Sequence, residues 1–557
     1  MKVVKILIFI VFYLLLFLTY TFAKFDPWDF KFSVGEIFKT DLERKFFYEY
    51  KSKGEIPDFE VWLLMASGVY SPEDIKLYKS KIDSISSDIS NKISGKKISR
   101  YDLAKFIFEY LHQNILKEYL EKATDLDALF DTGYYNCVNS TAIYNILLKR
   151  FGFKPKAIQL PDHIFTIIYL DDYPIEVETT ARKGFDVVRN PDAIKELKDR
   201  TPYIYVPSSK GKRVEVDDEG VIATMYVNQV LVFKDIKRYD EILKSSAKGL
   251  ILEPNLSIAY TNLRSAYIGI FSDYADKDDW GNAILFAKEA LSIFENDKEI
   301  DNFIGSAYYN YILTLINKGN FKDAIEKFNY VKDKDTRYYG EIKSLLDYLL
   351  FNWGKSEISK GNYQIIFDVV NFGLKFDRNL TYKAGVNLLL DLSKVFSSRD
   401  DYESIINFHK KFIEIFPEGN EVKQNLGYFY NVWGVELMNK GQLDKSAQVF
   451  ENALTDLPND EVLKQNASIV YAKLTQISFS KRDYEKAIYF INRAIELNSS
   501  KQLTEIRKNI YIDWVKFLTF PEENYTKAKK VCEEALSFYP EDENLNKIYK
   551  YVLNKLK

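Results

Sequence analysis

The chain has 557 residues, with Lys+Arg 77 against Asp+Glu 80 for a net charge of -3, and it is 46% hydrophobic and 28% charged with 14 prolines. That length exceeds a single core and calls for several domains at roughly 100–200 residues each, while the composition excludes a disordered or collagen-like chain. The near-neutral balance, with basic runs no longer than Lys210-Gly-Lys-Arg213, argues against nucleic acid as a partner, and the 41 tyrosines and 40 phenylalanines fall mostly at helical spacing, where an aromatic stripe is core.

Lys2 and Lys5 precede an uncharged run, Ile6 to Ala23, that ends in Thr21-Phe22-Ala23. Residues 1–23 therefore read as a secretory signal or, at 18 apolar residues, as an uncleaved membrane anchor. Either places the bulk of the chain outside the cytoplasm, periplasmic or secreted, with membrane association through the anchor in the second case. Residues 24–100 are expected to be helical, with apolar spacing of three and four over Ser33 to Lys51, Phe59 to Val69 and Ser71 to Ile93, and a fourth helix is expected over Tyr101 to Thr124. Ser71-Pro72-Glu73-Asp74 is a helix start: a capping serine, proline at the first position and acids in the first turn. His112, on the fourth helix, is read as a surface or packing residue.

Asp131-Thr-Gly-Tyr-Tyr-Asn-Cys137 reads as a turn, and Ala142, Ile143, Ile146 and Leu147 then form the apolar stripe of a helix over Val138 to Phe151. Cys137 thus starts a helix, where unpaired N–H groups and the helix dipole favour a thiolate and can donate to an oxyanion. After Gly152 the pattern changes to strands over Lys156 to Leu160, His163 to Leu170 and Ile175 to Thr180, with Asp171-Asp172 as a hairpin turn. A two-residue loop there sets His163 opposite Thr180 with Glu178 diagonally beside it, on one sheet face. Cys137, His163 and Glu178 fall within 42 residues of a chain that owns only two cysteines and three histidines. They supply the nucleophile, base and orienting acid that thiol-based acyl transfer needs. Glu176 lies on the same face one pair further along, and the shorter diagonal favours Glu178. No metal or cofactor is called for.

This order of residues, over roughly 100 to 185, resembles the transglutaminase-like, papain-fold superfamily. The motifs that carry the resemblance are Gly133-Tyr-Tyr-Asn-Cys137 with Ala142 and Leu147, Pro161-Asp-His163, and Ile175-Glu-Val-Glu178-Thr179-Thr180. The superfamily's acid is commonly an aspartate followed by proline and threonine; here Glu178-Thr-Thr stands in its place. The resemblance implies an α+β fold and acyl transfer through a thioester: hydrolysis of a peptide or amide, or transamidation onto an amine, with a protein or cell-wall peptide as substrate. Asn136 and Gln159 are the candidate oxyanion side chains. In the connector, residues 186–235, Arg200-Thr-Pro-Tyr-Ile-Tyr-Val-Pro207 gives mixed signals, and Gly220 to Phe233 is strand-like. Val221 to Val232 either completes the sheet of the module, residues 101–235, or packs that module onto the chain beyond residue 235.

Residues 236–557 repeat. Tyr239, Trp280, Phe321, Tyr363, Tyr402, Leu443, Tyr484 and Tyr525 recur at intervals of 41, 41, 42, 39, 41, 41 and 41. Small or apolar residues such as Ala283, Ala324, Ala487 and Ala528 come three places later, and others come at seven and ten, which is one helix face. Turns such as Lys318-Gly-Asn320 and Lys440-Gly-Gln442 join the two helices of each unit. Gly319-Asn-Phe321-Lys-Asp-Ala324 and Asp483-Tyr484-Glu-Lys-Ala487 resemble tetratricopeptide repeats (TPR), whose usual period is about 34. The resemblance implies an all-α superhelical solenoid of about eight units that binds a protein or peptide on its concave surface. The units around Tyr363 and Tyr402 depart furthest from the pattern. Cys532 and His409 fall at the seven-residue offset and are expected in the core, which leaves Cys137 a free thiol. Two functions are consistent with this organisation: an exported cysteine acyl-transfer enzyme coupled to a protein-binding array, and a scaffold whose transglutaminase-like module is non-catalytic.

Overall fold

The computed structural model describes residues 25–557 apart from 162, 172, 191, 193, 194, 196–212 and 521. The expected signal or anchor, Asp172 of the hairpin turn, the 200–207 stretch and most of the short basic run at 210–213 lie outside the described residues. Among the described residues no helix is long and apolar enough to cross a membrane. The chain divides into two compact units, Met1–Thr314 with Asn329–Ile342, and Leu315–Phe328 with Lys343–Lys557.

The first unit opens with helices α1 (Asp41–Lys53), α2 (Phe59–Ala66), α3 (Pro72–Ile93) and α4 (Arg100–Asn114). The first begins later than its apolar spacing suggests, because Thr40 accepts a hydrogen bond from the Glu43 N–H and caps the helix there. Ser71 caps α3 with Pro72 in its first turn, as expected. The helix expected to reach Thr124 stops at Asn114. From there the backbone turns into strand β1 (Glu118–Tyr119), which pairs in parallel with β2 (Tyr134–Tyr135) across the short helix α5 (Leu126–Thr132). The Lys117 N–H donates to the Gly133 carbonyl, and Gly133 itself is left-handed at φ 81, a conformation glycine adopts without penalty.

Helix α6 (Cys137–Arg150) is enclosed on nearly every side, and Val138 to Leu148 are all buried. It is a core helix, packed against α4 and the sheet strand β4. The sheet has the order β5-β4-β3-β6 and is antiparallel, built from β3 (Lys156–Gln159), β4 (Ile164–Leu170), β5 (Tyr173–Val177) and β6 (Val214–Val216). Leu170 faces Tyr173 and Thr166 faces Val177, the register that a two-residue loop dictates.

The connector corrects one expectation. Gly220 to Phe233 is helical: α7 (Asp218–Asn228) and α8 (Val230–Phe233). The sheet is completed by β6, just upstream, while α7 packs on α9 (Tyr239–Leu252), the first repeat helix. Val221, Ile222, Ala223, Met225, Tyr226 and Val227 are all buried. A helix enclosed on every side shows no period, and its β-branched residues then imitate a strand.

Most repeats pair a 14-residue helix that starts at the recurring large residue with a longer helix. The shorter set includes Tyr239–Leu252, Trp280–Ile293, Tyr402–Ile415, Leu443–Asp456, Tyr484–Leu497 and Tyr525–Phe538. Their partners Ser257–Ala275, Arg378–Ser397, Asn420–Asn439, Glu461–Ser480 and Lys501–Thr519 run to 19 or 20 residues. The fourth unit departs as expected, its second helix reduced to the nine residues Ile365–Gly373. The fifth is regular. In the second unit Ala487, Ile491, Tyr511, Val515, Cys532 and Ala535 share one core. Cys532 is fully buried, which pushes its thiol up to about 12. His409 is buried too: its Nδ1–H donates to the Ile405 carbonyl 2.8 Å away, and burial lowers its basicity.

Candidate active site

Asn136 builds the start of α6. Its Oδ1 accepts from the Val138 N–H at 2.9 Å and the Asn139 N–H at 3.3 Å, and Asn139 Oδ1 accepts from the Asn136 N–H at 2.9 Å. This reciprocal capping box fixes Cys137 at the first helical position. Asn136 Nδ2 donates to the Glu121 carbonyl and to Thr124 Oγ1, each at 3.0 Å, which ties the turn to the chain after β1. Cys137 is partly exposed, and both cysteines are free.

A buried hydroxyl cluster joins this turn to the acid's strand. Thr179 Oγ1 lies 2.8 Å from Ser140 Oγ and 3.2 Å from Thr141 Oγ1, while Ser140 donates to the Asn136 carbonyl at 2.6 Å and Thr141 to the Ile164 carbonyl at 3.3 Å. The residue after Glu178 is thereby held to the helix that carries Cys137.

His163 stands immediately before β4, and its carbonyl accepts from the Leu160 N–H at 2.8 Å. Its Nε2 is 2.7 Å from Glu178 Oε2. The other carboxylate oxygen, Oε1, accepts from Thr180 Oγ1 at 2.6 Å and from the Thr180 N–H at 3.1 Å. Cys137 is close enough to act on the imidazole as well; with Nε2 committed to Glu178, Nδ1 is the nitrogen left for the thiol. The three sequence-predicted residues are therefore brought together. His163 is 10% exposed and Glu178 not at all.

Electrostatics follow from this packing. Burial opposes a charge on His163, but the Glu178 carboxylate with its hydrogen bond, together with Cys137, outweighs it and raises the imidazole well above its usual range. Burial likewise opposes the charge on Glu178, yet His163 and the two Thr180 donors hold its carboxyl below the usual range. Both directions describe an ion pair that keeps one imidazole face towards sulfur.

The remaining candidates are engaged elsewhere. Gln159 Nε2 donates to Thr224 Oγ1 at 2.7 Å, which turns that amide towards α7, and both Asn136 donors are spent on Glu121 and Thr124. The Val138 and Asn139 N–H groups are consumed by the cap. Glu176 pairs with Arg213 at 2.6 Å, which leaves Glu178 as the acid on His163. The His112 ring packs 4.7 Å from Phe108 and 6.3 Å from Tyr135. Sequence patterns missed Thr180 as the donor to the acid and the Ser140–Thr179–Thr141 cluster, although the Thr-Thr after Glu178 was a signal for both.

The loop after the acid is closed by Glu178 N–H donating to the Gly184 carbonyl at 2.8 Å. A Cβ on Gly184 would lie 1.9 Å from the Glu178 carbonyl oxygen. Gly184→Ala is therefore expected to force this loop open, with a cost of about 1–3 kcal/mol in a denaturant melt and slower alkylation of Cys137. Wild-type values for both would show that the loop is not held this way.

No family model matches the chain, and no curated protein matches it. Similar solved structures include the TPR2AB domain of yeast Sti1 in complex with pHSP90, at 16% identity over 52% of this chain and 99% of that one with a TM-score of 0.16. A tetratricopeptide repeat protein from Parabacteroides merdae matches at 13% identity, covering 52% and 98%, with a TM-score of 0.15. The TPR domain of P58(IPK) matches at 12%, covering 60% and 88%, with a TM-score of 0.16. The helix–turn–helix hairpins themselves are consistent with a TPR-like array.

Proposed function

We propose that the chain is a transglutaminase-like cysteine acyl-transfer protein, a peptide or amide hydrolase or a transamidase, whose helical repeats bind a protein or peptide partner. The observation that supports the chemistry is the His163–Glu178 pair, 2.7 Å apart, with the carboxylate buried, the imidazole raised in basicity by Glu178 and Cys137, and the sulfur partly exposed at a helix start. In this reading the proton of the thiol already sits on His163 Nδ1, and sulfur adds as a thiolate to the substrate carbonyl carbon while the C=O π pair moves to oxygen. Collapse restores the carbonyl and breaks the bond to the leaving amine, which takes the proton from His163; a thioester remains. Water or a second amine, deprotonated by His163, then attacks the thioester, and sulfur leaves. The uncharged run Ile6 to Ala23 supports export.

Iodoacetamide tests the nucleophile. Under native conditions Cys137 is expected to be carbamidomethylated at least about 10²-fold faster than Cys532, whose thiol is buried and pushed up to about 12, as read by peptide mass spectrometry. Equal, slow labelling would leave the second reading, a non-catalytic interaction scaffold. That reading is favoured by the extent of the repeats, residues 236–557 of the chain, and requires that Cys137→Ala retain full biological activity.

A further inference from the structure

A thioester-forming site needs donors aimed at the oxygen that becomes negative. The side chains and first-turn amides that the sequence offered for this are engaged: Asn136, Gln159, Val138 and Asn139 all donate elsewhere. Among the described residues the Cys137 N–H takes no part in the cap, and one side chain nearby is also uncommitted, the Tyr119 hydroxyl.

Tyr119 reaches the site through the two-residue ladder. In that ladder it is the partner of Tyr135, two residues before Cys137, and the Leu120 N–H donates to the Tyr135 carbonyl at 2.8 Å. The Glu121 carbonyl, two residues further on, receives the Asn136 side chain, so strand and helix cap are tied together just after Tyr119. Its ring stands edge-on to that of Tyr135 at 5.9 Å. Of the charges that act on the phenol, Cys137 ranks first, ahead of Glu121 and Glu178. Tyr119 is also 36% exposed, so the residue meets solvent beside the turn that carries the thiol.

We propose that the Tyr119 hydroxyl is a catalytic oxyanion donor, acting together with the Cys137 N–H on the carbonyl oxygen attacked by Cys137. This rests on the reading of Cys137 as nucleophile. When sulfur bonds to the carbonyl carbon and the π pair moves to oxygen, the phenol O–H donates to that oxygen without losing its proton. When the tetrahedral adduct collapses the pair returns, and the hydrogen bond weakens again.

Two reagents separate this role from an effect on the thiol. Acylation of Cys137 by p-nitrophenyl acetate passes through an oxyanion and releases p-nitrophenolate; alkylation by iodoacetamide displaces iodide and forms none. In Tyr119→Phe, which keeps the packed ring, acylation is expected to fall about 10²–10³-fold while alkylation of Cys137 stays at the wild-type rate, which also reports an intact site. Tyr119→Gln, which restores a donor, should recover part of the acylation rate, and Tyr134→Phe on the neighbouring exposed tyrosine should change neither rate. Unchanged acylation in Tyr119→Phe, or an equal fall in both reactions, overturns the proposal. A wild-type Cys137 that reacts with neither reagent faster than Cys532 instead overturns the nucleophile itself.

Discussion

Glu178→Gln is expected to slow acylation of Cys137 by about 10²–10⁴-fold and to draw the alkaline limb of its pH profile downwards. Glu178 is the charge that opposes the effect of burial on His163. Without it the imidazolium loses its proton at lower pH; a neighbouring opposite charge is worth about 1–3 pK units. The same pair shapes stability. His163 is raised, so its contribution is fully present below the usual imidazole value of 6.5 and is lost as pH rises through the folded value. Glu178 is lowered, so its contribution is present above 4.5 and is lost as pH falls through its folded value. The pair should therefore support the fold most between those two usual values, and urea titrations across pH should show Glu178→Gln losing the most stability in that window. A mutant whose alkaline limb stays in place would dissociate Glu178 from the proton on His163.

Lys248→Ala should destabilise the first unit by about 3–5 kcal/mol. Lys248 Nζ lies 2.9 Å from Glu43 Oε1, with side-chain exposures of 2% and 0%. Burial pushes the ammonium below its usual range against the pull of Glu43. Glu43 also accepts from the Tyr226 hydroxyl at 2.7 Å and from the Lys39 N–H at 2.6 Å, so the carboxylate is the centre of a buried cluster that joins α1, α7 and α9. Removing the lysine alone strands that carboxylate in a dry interior. Glu43→Gln/Lys248→Met, which removes both charges and retains an acceptor for Tyr226, should recover most of the loss. Denaturant melts of the three proteins decide the matter, and a near-neutral single mutant would mean that water reaches Glu43.

The parts of the site that were legible in the sequence are those that a repeating local rule specifies. Alternation and a two-residue loop dictated the β4–β5 register, although the ladder ends at Thr166 and Val177, short of the expected His163–Thr180 pair. The asparagine and the glycine turn ahead of Cys137 marked a helix start, and the 41-residue recurrence marked the hairpins with the first residue of nearly every shorter helix. Tyr119 could not be found this way: two residues in a parallel ladder show no alternation, and their neighbours read as the tail of α4. Asn136 and Gln159 had the right chemistry as oxyanion donors, but their amides are consumed by contacts with Glu121, Thr124 and Thr224 that are set only by tertiary packing. Val221 to Val227 was ambiguous for the opposite reason, because complete burial erases the polar face that distinguishes a helix from a strand.

Exposure grades along the site: Glu178 is sealed, His163 is 10% exposed, Cys137 is partly exposed and Tyr119 is 36% exposed. In the proposed reaction an acceptor, whether water or an amine, must collect its help from the same His163 that served the first step, so the first product has to leave before the acceptor is activated. Such a site would work as a turnstile. Its kinetics would be of the double-displacement kind, with the acyl group waiting on Cys137 between two visitors and its lifetime set by how quickly the first one leaves.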